Sequence, residues 1–262
     1  MRRRQLVEIE DQAWCPRAVR DGGTDWLAFM ANTTGMFNAI APKIRAAMDA
    51  MGTSEVLDLC SGGGGPWLTL ERALSATGPA RVVLSDRYPN REALERARAD
   101  SGGRLHVHDA PVDAGSVPAD LKGVRTLFNA FHHFPPDAAR RILADAVARR
   151  RAIVIVEGTN HRGAGVIAMP LQVPALALGT PFVRPFRWSR LLFTYVLPLI
   201  PLLVLFDGTV SLLRLYLEDE LRELVGGVPG HETFDWDIGV TRIGPGPVGL
   251  LHLVGVPKRA TL

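Results

Sequence analysis

The stretch Val56-Leu57-Asp58-Leu59-Cys60-Ser61-Gly62-Gly63-Gly64-Gly65-Pro66 constrains this chain more than any other. A short apolar run gives way to four consecutive glycines, and a proline then opens a helical stretch that continues to Leu74. Glycine gives up more backbone freedom on folding than any other residue. Four in a row are therefore kept where the chain turns through conformations closed to other residues, or where a ligand approaches the backbone. The helix that follows offers its free N–H groups at the same place. Apolar run, glycine loop and helix form one strand–loop–helix unit.

That unit recurs. Apolar runs at residues 55–59, 81–85, 104–108, 124–130 and 152–156 alternate with helical stretches, among them 91–100 and 136–149. Ile142, Leu143, Ala146 and Val147 fall on one face of the latter. Short apolar strands alternating with helices predict a parallel sheet with helices on both faces. Residues 234–242 and 248–256 alternate instead around Gly244-Pro245-Gly246-Pro247, which predicts a closing antiparallel hairpin. Ahead of the first strand, helices are expected at 26–37 and at 42–51, where Pro42 lies in the first turn and Gly52 just past the end. The expected segments are an N-terminal helical cap (1–52), an α/β core (53–160), an apolar helical insert (161–231) and the hairpin (232–262).

Three acids narrow the chemistry. Asp58 ends the first strand just before the glycines, where it would repel a pyrophosphate but suit a cationic ligand. Asp86 closes the second strand, placed to accept hydrogen bonds from two ribose hydroxyls. Asp113 follows the third, within reach of an exocyclic amine. A nicotinamide site is disfavoured because the glycine spacing is not Gly-x-Gly-x-x-Gly and an acid precedes it.

With Asp58 leading into Gly62, Gly63 and Gly64, the segment resembles the first motif of class I S-adenosylmethionine-dependent methyltransferases. The resemblance covers residues 53–160 and 232–257. It implies a seven-stranded Rossmann-like, doubly wound α/β sheet with a terminal antiparallel hairpin, and S-adenosyl-L-methionine as cofactor. Carried onto this sequence, Asp58 and the backbone of Gly62 to Gly64 would hold the methionine moiety, Asp86 the ribose and Asp113 the adenine amine. Arg87, Ala114 and Asn129 complete the implied cofactor set. Cys60 stands where the family has its first glycine, a substitution by a small residue.

Phe131-His132-His133-Phe134 follows the fourth strand, at the edge where ligands sit in open α/β sheets. His132 and His133 are the candidate catalytic residues, since imidazole accepts protons near neutral pH. Lining the substrate is the alternative role, because methyl transfer depends mainly on in-line alignment. No metal is expected, for His106, His108, Asp109 and Asp113 offer no fourth ligand at a fixed spacing. Trp14, Trp26, Phe29 and Phe37 suit either a lid or helix faces packed on the sheet.

Residues 163–183 and 191–206 carry no charge, and Arg184, Arg187 and Arg190 lie between them. Three readings compete for this insert: two membrane spans, an interfacial element, or helices stacked on the sheet's carboxyl edge as a lid over an apolar acceptor pocket. Pro170, Pro174, Pro181, Pro198 and Pro201 interrupt the helices, and an arginine-rich tip would have to be translocated, against the positive-inside rule. The lid is the expected arrangement, with membrane-surface contact through 163–213 as the alternative.

Two cysteines make no disulfide framework, and Met1-Arg2-Arg3-Arg4 is followed by no apolar run, so a reducing, cytoplasmic setting is expected, with the insert able to reach the membrane's inner face. A formal charge of +3 without a stripe of interleaved cations and aromatics argues against nucleic acid. The expected activity is methyl transfer to a small or lipid-like apolar acceptor. The alternative is a non-catalytic cofactor-binding or membrane-associated module on the same fold.

Overall fold

A computed structural model describes residues 3–159, 161–244 and 249–259. Seven strands form one sheet: β1 (Glu55–Asp58), β2 (Arg81–Leu84), β3 (Leu105–Val107), β4 (Val124–Phe128), β5 (Ile153–Glu157), β6 (Phe234–Arg242) and β7 (Gly249–Pro257). Their order is β3-β2-β1-β4-β5-β7-β6. The first five are parallel, and β7 runs antiparallel between β5 and β6. This is the expected seven-stranded α/β sheet with its terminal hairpin. Pro245, Gly246 and Pro247 of the expected hairpin turn lie outside the described residues.

Burial explains why these runs are strands. Every residue of β4 and β5 is buried, as a parallel sheet covered on both faces requires. The edge strand β6 shows mixed burial instead. Helices α3 (Trp67–Ser75), α4 (Arg91–Asp100) and α5 (Pro136–Ala148) join the parallel strands, each with an apolar face turned inward. Between Phe131 and the sheet's far edge, α10 (Glu218–Gly226) packs Leu221, Leu224 and Val225 inward. Arg125, buried on β4, is paired at 2.7 Å with Asp145 of α5.

The chain divides into two compact units: residues 35–160 with 216–262, and residues 1–34 with 161–215. The expected N-terminal segment 1–52 is thus split. Helix α2 (Ala41–Met51) belongs with the sheet, packed on α3, β4 and β7, and carries the expected Pro42 and a left-handed Gly52 at its ends. Helix α1 (Arg17–Thr34) belongs to the second unit and starts well before Trp26, where the sequence pattern begins it. Gly22 and Gly23 lower helix propensity there, yet they let Ile200 and Leu203 approach closely.

In that second unit, α7 (Gln172–Gly179) and α9 (Leu199–Arg214) pack with α1 around Cys15, Val19, Trp26, Leu176, Val183, Ile200, Leu203 and Val204, while α6 (Arg162–Ala168) packs on α9 and α8 (Trp188–Leu191) on α1. Gly165 faces Leu212 and Gly208 faces Met169, so α6 runs antiparallel to α9. The N-terminal segment is tied to α9 by Asp207, which accepts the amides of Ile9 at 2.7 Å and Glu10 at 2.9 Å. Arg214 pairs with the buried Glu8 at 3.1 Å.

Candidate active site

Strand order reverses between β1 and β4, and it is at such a switch point that open α/β sheets leave a crevice at their carboxyl ends. Asp58, the last residue of β1, is buried there. The register sets Asp58 beside Thr126 of β4, whose hydroxyl donates to Asp58 Oδ1 at 2.7 Å. Ser61 donates to Oδ2 at 2.6 Å. Burial pushes the Asp58 carboxyl from its ordinary value up to about 7, against the lowering effect of these hydrogen bonds.

The glycine loop then turns on left-handed residues. Cys60 (φ 59°), Gly62 (φ 51°), Gly64 (φ 98°) and Gly65 (φ 49°) all adopt positive φ. A Cβ on Gly62 would project into open space, whereas one on Gly64 would lie 2.8 Å from the Ala97 Cβ. Gly64 is therefore needed for packing α3 against α4, and Gly62 borders a space that a side chain would occupy. Burial, reinforced by Asp86, Asp58 and Asp113, holds the Cys60 thiol well above its usual range, so it stays protonated.

Asp86 follows β2. One carboxylate oxygen accepts the Gly62 amide at 2.9 Å, and the other accepts the Tyr88 amide at 2.8 Å. Its backbone carbonyl accepts the Val112 amide at 2.9 Å, which draws the segment after β3 alongside. Asp113 pairs with Arg87 at 3.3 Å and accepts the Gly115 amide at 2.8 Å. Arg87 thus occupies the carboxylate expected to meet an amine. Ala114 is buried, so only its backbone is available to a ligand. Asn129, at φ 48° past the end of β4, accepts the Gly158 amide at 2.6 Å and stitches the ends of β4 and β5 together.

His132 lies in the turn after β4 and is buried. Its Nδ1 lies 2.8 Å from Glu157 Oε2, and its backbone amide donates to Glu157 Oε1 at 3.0 Å. In the neutral imidazole this pairing would favour the tautomer with Nδ1 as donor to the carboxylate and Nε2 as acceptor. The His133 ring lies against His132, with centroids 4.4 Å apart and planes tilted by 32°. Phe131 packs on Tyr216, whose hydroxyl donates to the Phe134 carbonyl at 2.8 Å and closes this turn.

Three residues bonded to the candidate side chains escape the sequence reading: Ser61, Thr126 and Glu157. Glu157 does end its strand in the position of an acid at a carboxyl edge. Thr126 gives no such signal, for its role depends on strand register.

The seven-stranded core has the architecture of solved methyltransferases. A structure of the plantazolicin methyltransferase BpumL in complex with SAH superposes with a TM-score of 0.60 at 12% identity, covering 95% of this chain and 94% of that one. The neocarzinostatin-biosynthesis O-methyltransferase NcsB1, in complex with S-adenosylmethionine and 2-hydroxy-5-methyl naphthoic acid, superposes with a TM-score of 0.54 at 16% identity. Here 92% of this chain is covered, and it spans 59% of the other's length. This chain has the class I methyltransferase fold. No family model and no curated protein matches its sequence.

Proposed function

We propose that this chain is an S-adenosylmethionine-dependent methyltransferase acting on a small, largely apolar acceptor. The observation that carries the reading is one arrangement at the carboxyl edge. Three acids, one ending β1 and the others following β2 and β3, stand at the carboxyl ends of adjacent strands beside a left-handed glycine loop.

The residues present fit the cofactor. Asp58 is a buried acid that holds its proton to near neutrality and ionises more readily beside a cation, as the amino group of the methionine moiety would be. The Gly62 position leaves space that a Cβ would fill. Asp86 offers a carboxylate for ribose hydroxyls while holding the loop, and Asp113 lies next along the edge. When bound, S-adenosylmethionine supplies an electrophilic methyl group on a sulfonium.

His132 is the base of this proposal. Glu157 fixes its tautomer and orientation, so that Nε2 is the nitrogen able to take a proton from a hydroxyl or other protic acceptor. Glu157 also stabilises the imidazolium that results. His133 lines the same turn, its ring against that of His132. Complexes of the two solved methyltransferases with a monoazolic desmethyl analogue and with a naphthoic acid support an aromatic or apolar acceptor.

The test is turnover. Purified protein incubated with methyl-labelled cofactor and fractionated small-molecule and lipid extracts should yield S-adenosylhomocysteine and a labelled product. Tight cofactor binding without product from any fraction would leave a binding module instead.

A further inference from the structure

Between Glu157 and Asp207 the sequence has no acidic residue, although it has four arginines. Two of them, Arg162 and Arg190, are buried, the latter paired with Asp25 and bonded to the carbonyls of Val183 and Pro185. Arg184 is exposed and Arg187 half-buried, beside Phe182, Phe186 and Trp188. The Phe186 and Trp188 rings meet edge to face at 5.1 Å, and Trp188 is 77% exposed.

The helices on either side expose apolar stripes. Along Arg162–Phe182, the residues Ile167, Leu171, Leu178 and Phe182 recur at helical spacing and all face outward, Ile167 being 82% exposed. Across the 77° bend between Trp188–Val196 and Leu199–Arg214, the same holds for Leu192, Tyr195, Leu199, Leu202 and Phe206. The Tyr195 hydroxyl donates to the Ala177 carbonyl and joins the two stripes. A water-facing helix carries charges along such a face. Packing within this unit leaves both stripes exposed.

We infer that this unit docks on the surface of an anionic lipid bilayer. The stripes lie among the acyl chains, Trp188 and Phe186 sit at the headgroup boundary, and Arg184 and Arg187 meet lipid phosphates. Two observations favour lipid over a protein partner. A protein interface is about as polar as the rest of a protein surface, whereas residues 163–183 offer no charge at all. Arg184 and Arg187 then lie at the aromatic end, which matches a phosphate surface. Arg162–Phe182 is long and apolar enough to span a bilayer, but the 77° bend in the helix pair that follows and the arginines between them oppose passage of the unit through it.

The inference does not depend on methyl transfer, and its test uses no cofactor. The full-length chain is sedimented with vesicles of phosphatidylcholine, alone or mixed with phosphatidylglycerol. It should pellet with the mixed vesicles and be released progressively by salt. Leu171→Asp with Leu178→Asp should abolish pelleting, while Arg184→Gln with Arg187→Gln should weaken it roughly tenfold on the mixed vesicles only. Both double variants should keep the parental circular dichroism spectrum, because none of the four altered residues is in the buried core. The inference is overturned if the folded parent stays in the supernatant with both vesicle types. It is equally overturned if both double variants pellet as the parent does, or if the leucine variants only dissociate an oligomer that never bound vesicles.

Discussion

Asp86 accepts the Gly62 amide at 2.9 Å, so the carboxylate after β2 pins the glycine loop after β1. In the proposed site the same side chain would both shape the glycine loop and meet the ribose. Asp86→Ala should remove both functions and cost roughly 1.5–3 kcal/mol of binding, about a tenfold to hundredfold loss in affinity. Asp86→Asn should lose less, because its carbonyl oxygen can still accept the Gly62 amide. Calorimetric titration of S-adenosylhomocysteine against both folded variants checks this, and equal affinities in parent and Ala variant would move the ribose site elsewhere.

Two glycines of that loop should separate folding from binding. Gly64→Ala places a Cβ against Ala97 at positive φ, and should lower stability by about 1–3 kcal/mol. Gly62→Ala meets no neighbour, so its folding cost is only the left-handed conformation, about 1–2 kcal/mol. Its larger effect should be on cofactor affinity. Thermal melts with and without S-adenosylmethionine distinguish the two, for the Gly62 variant should lose most of the ligand-induced rise in Tm.

Asp58 makes the site pH-dependent. Its carboxyl sits at about 7 in the folded chain, raised chiefly by burial from an ordinary value of 3.8. Between those values the unfolded chain gives up a proton that the folded chain keeps. This group's contribution to stability is therefore complete below about pH 4 and is lost as pH rises towards 7. Asp58→Asn should flatten that part of the stability profile. A cationic ligand favours the ionised form, so cofactor binding near pH 6.5 should release up to about one proton. Titrations in buffers of different ionisation enthalpy measure that release directly, and its absence would remove Asp58 from the ligand's surroundings.

His132→Asn should lower kcat by about 10²- to 10⁴-fold with little change in cofactor affinity, as loss of a general base does. Glu157→Gln should lower it less and shift the pH profile, because it acts through the imidazole. His133→Ala should stay within a few-fold of the parent. A rate for His132→Asn close to the parent's would mean that alignment alone carries the reaction.

The strands were legible because burial on both faces leaves continuous runs such as Ile153-Val154-Ile155-Val156. Asp58, Asp86 and Asp113 were legible because each follows such a run. Thr126 and Ser61 were not. Hydroxyls occur throughout any sequence, and only the β1–β4 register and the tight turn after Leu59 bring these two to one carboxylate. The link from Glu157 to His132 crosses between neighbouring strand ends, a relation absent from local pattern. The split after Thr34 was hidden too, since periodicity identifies an apolar face but not what covers it.

The most direct test of the central claim is equilibrium titration of the purified chain with S-adenosylmethionine, S-adenosylhomocysteine and NAD in parallel. The structure predicts one-to-one binding of the first two, weakened at least tenfold by Asp86→Ala, and no measurable binding of NAD. NAD binding more tightly than either would contradict the claim, and so would a chain that binds none of the three while remaining folded.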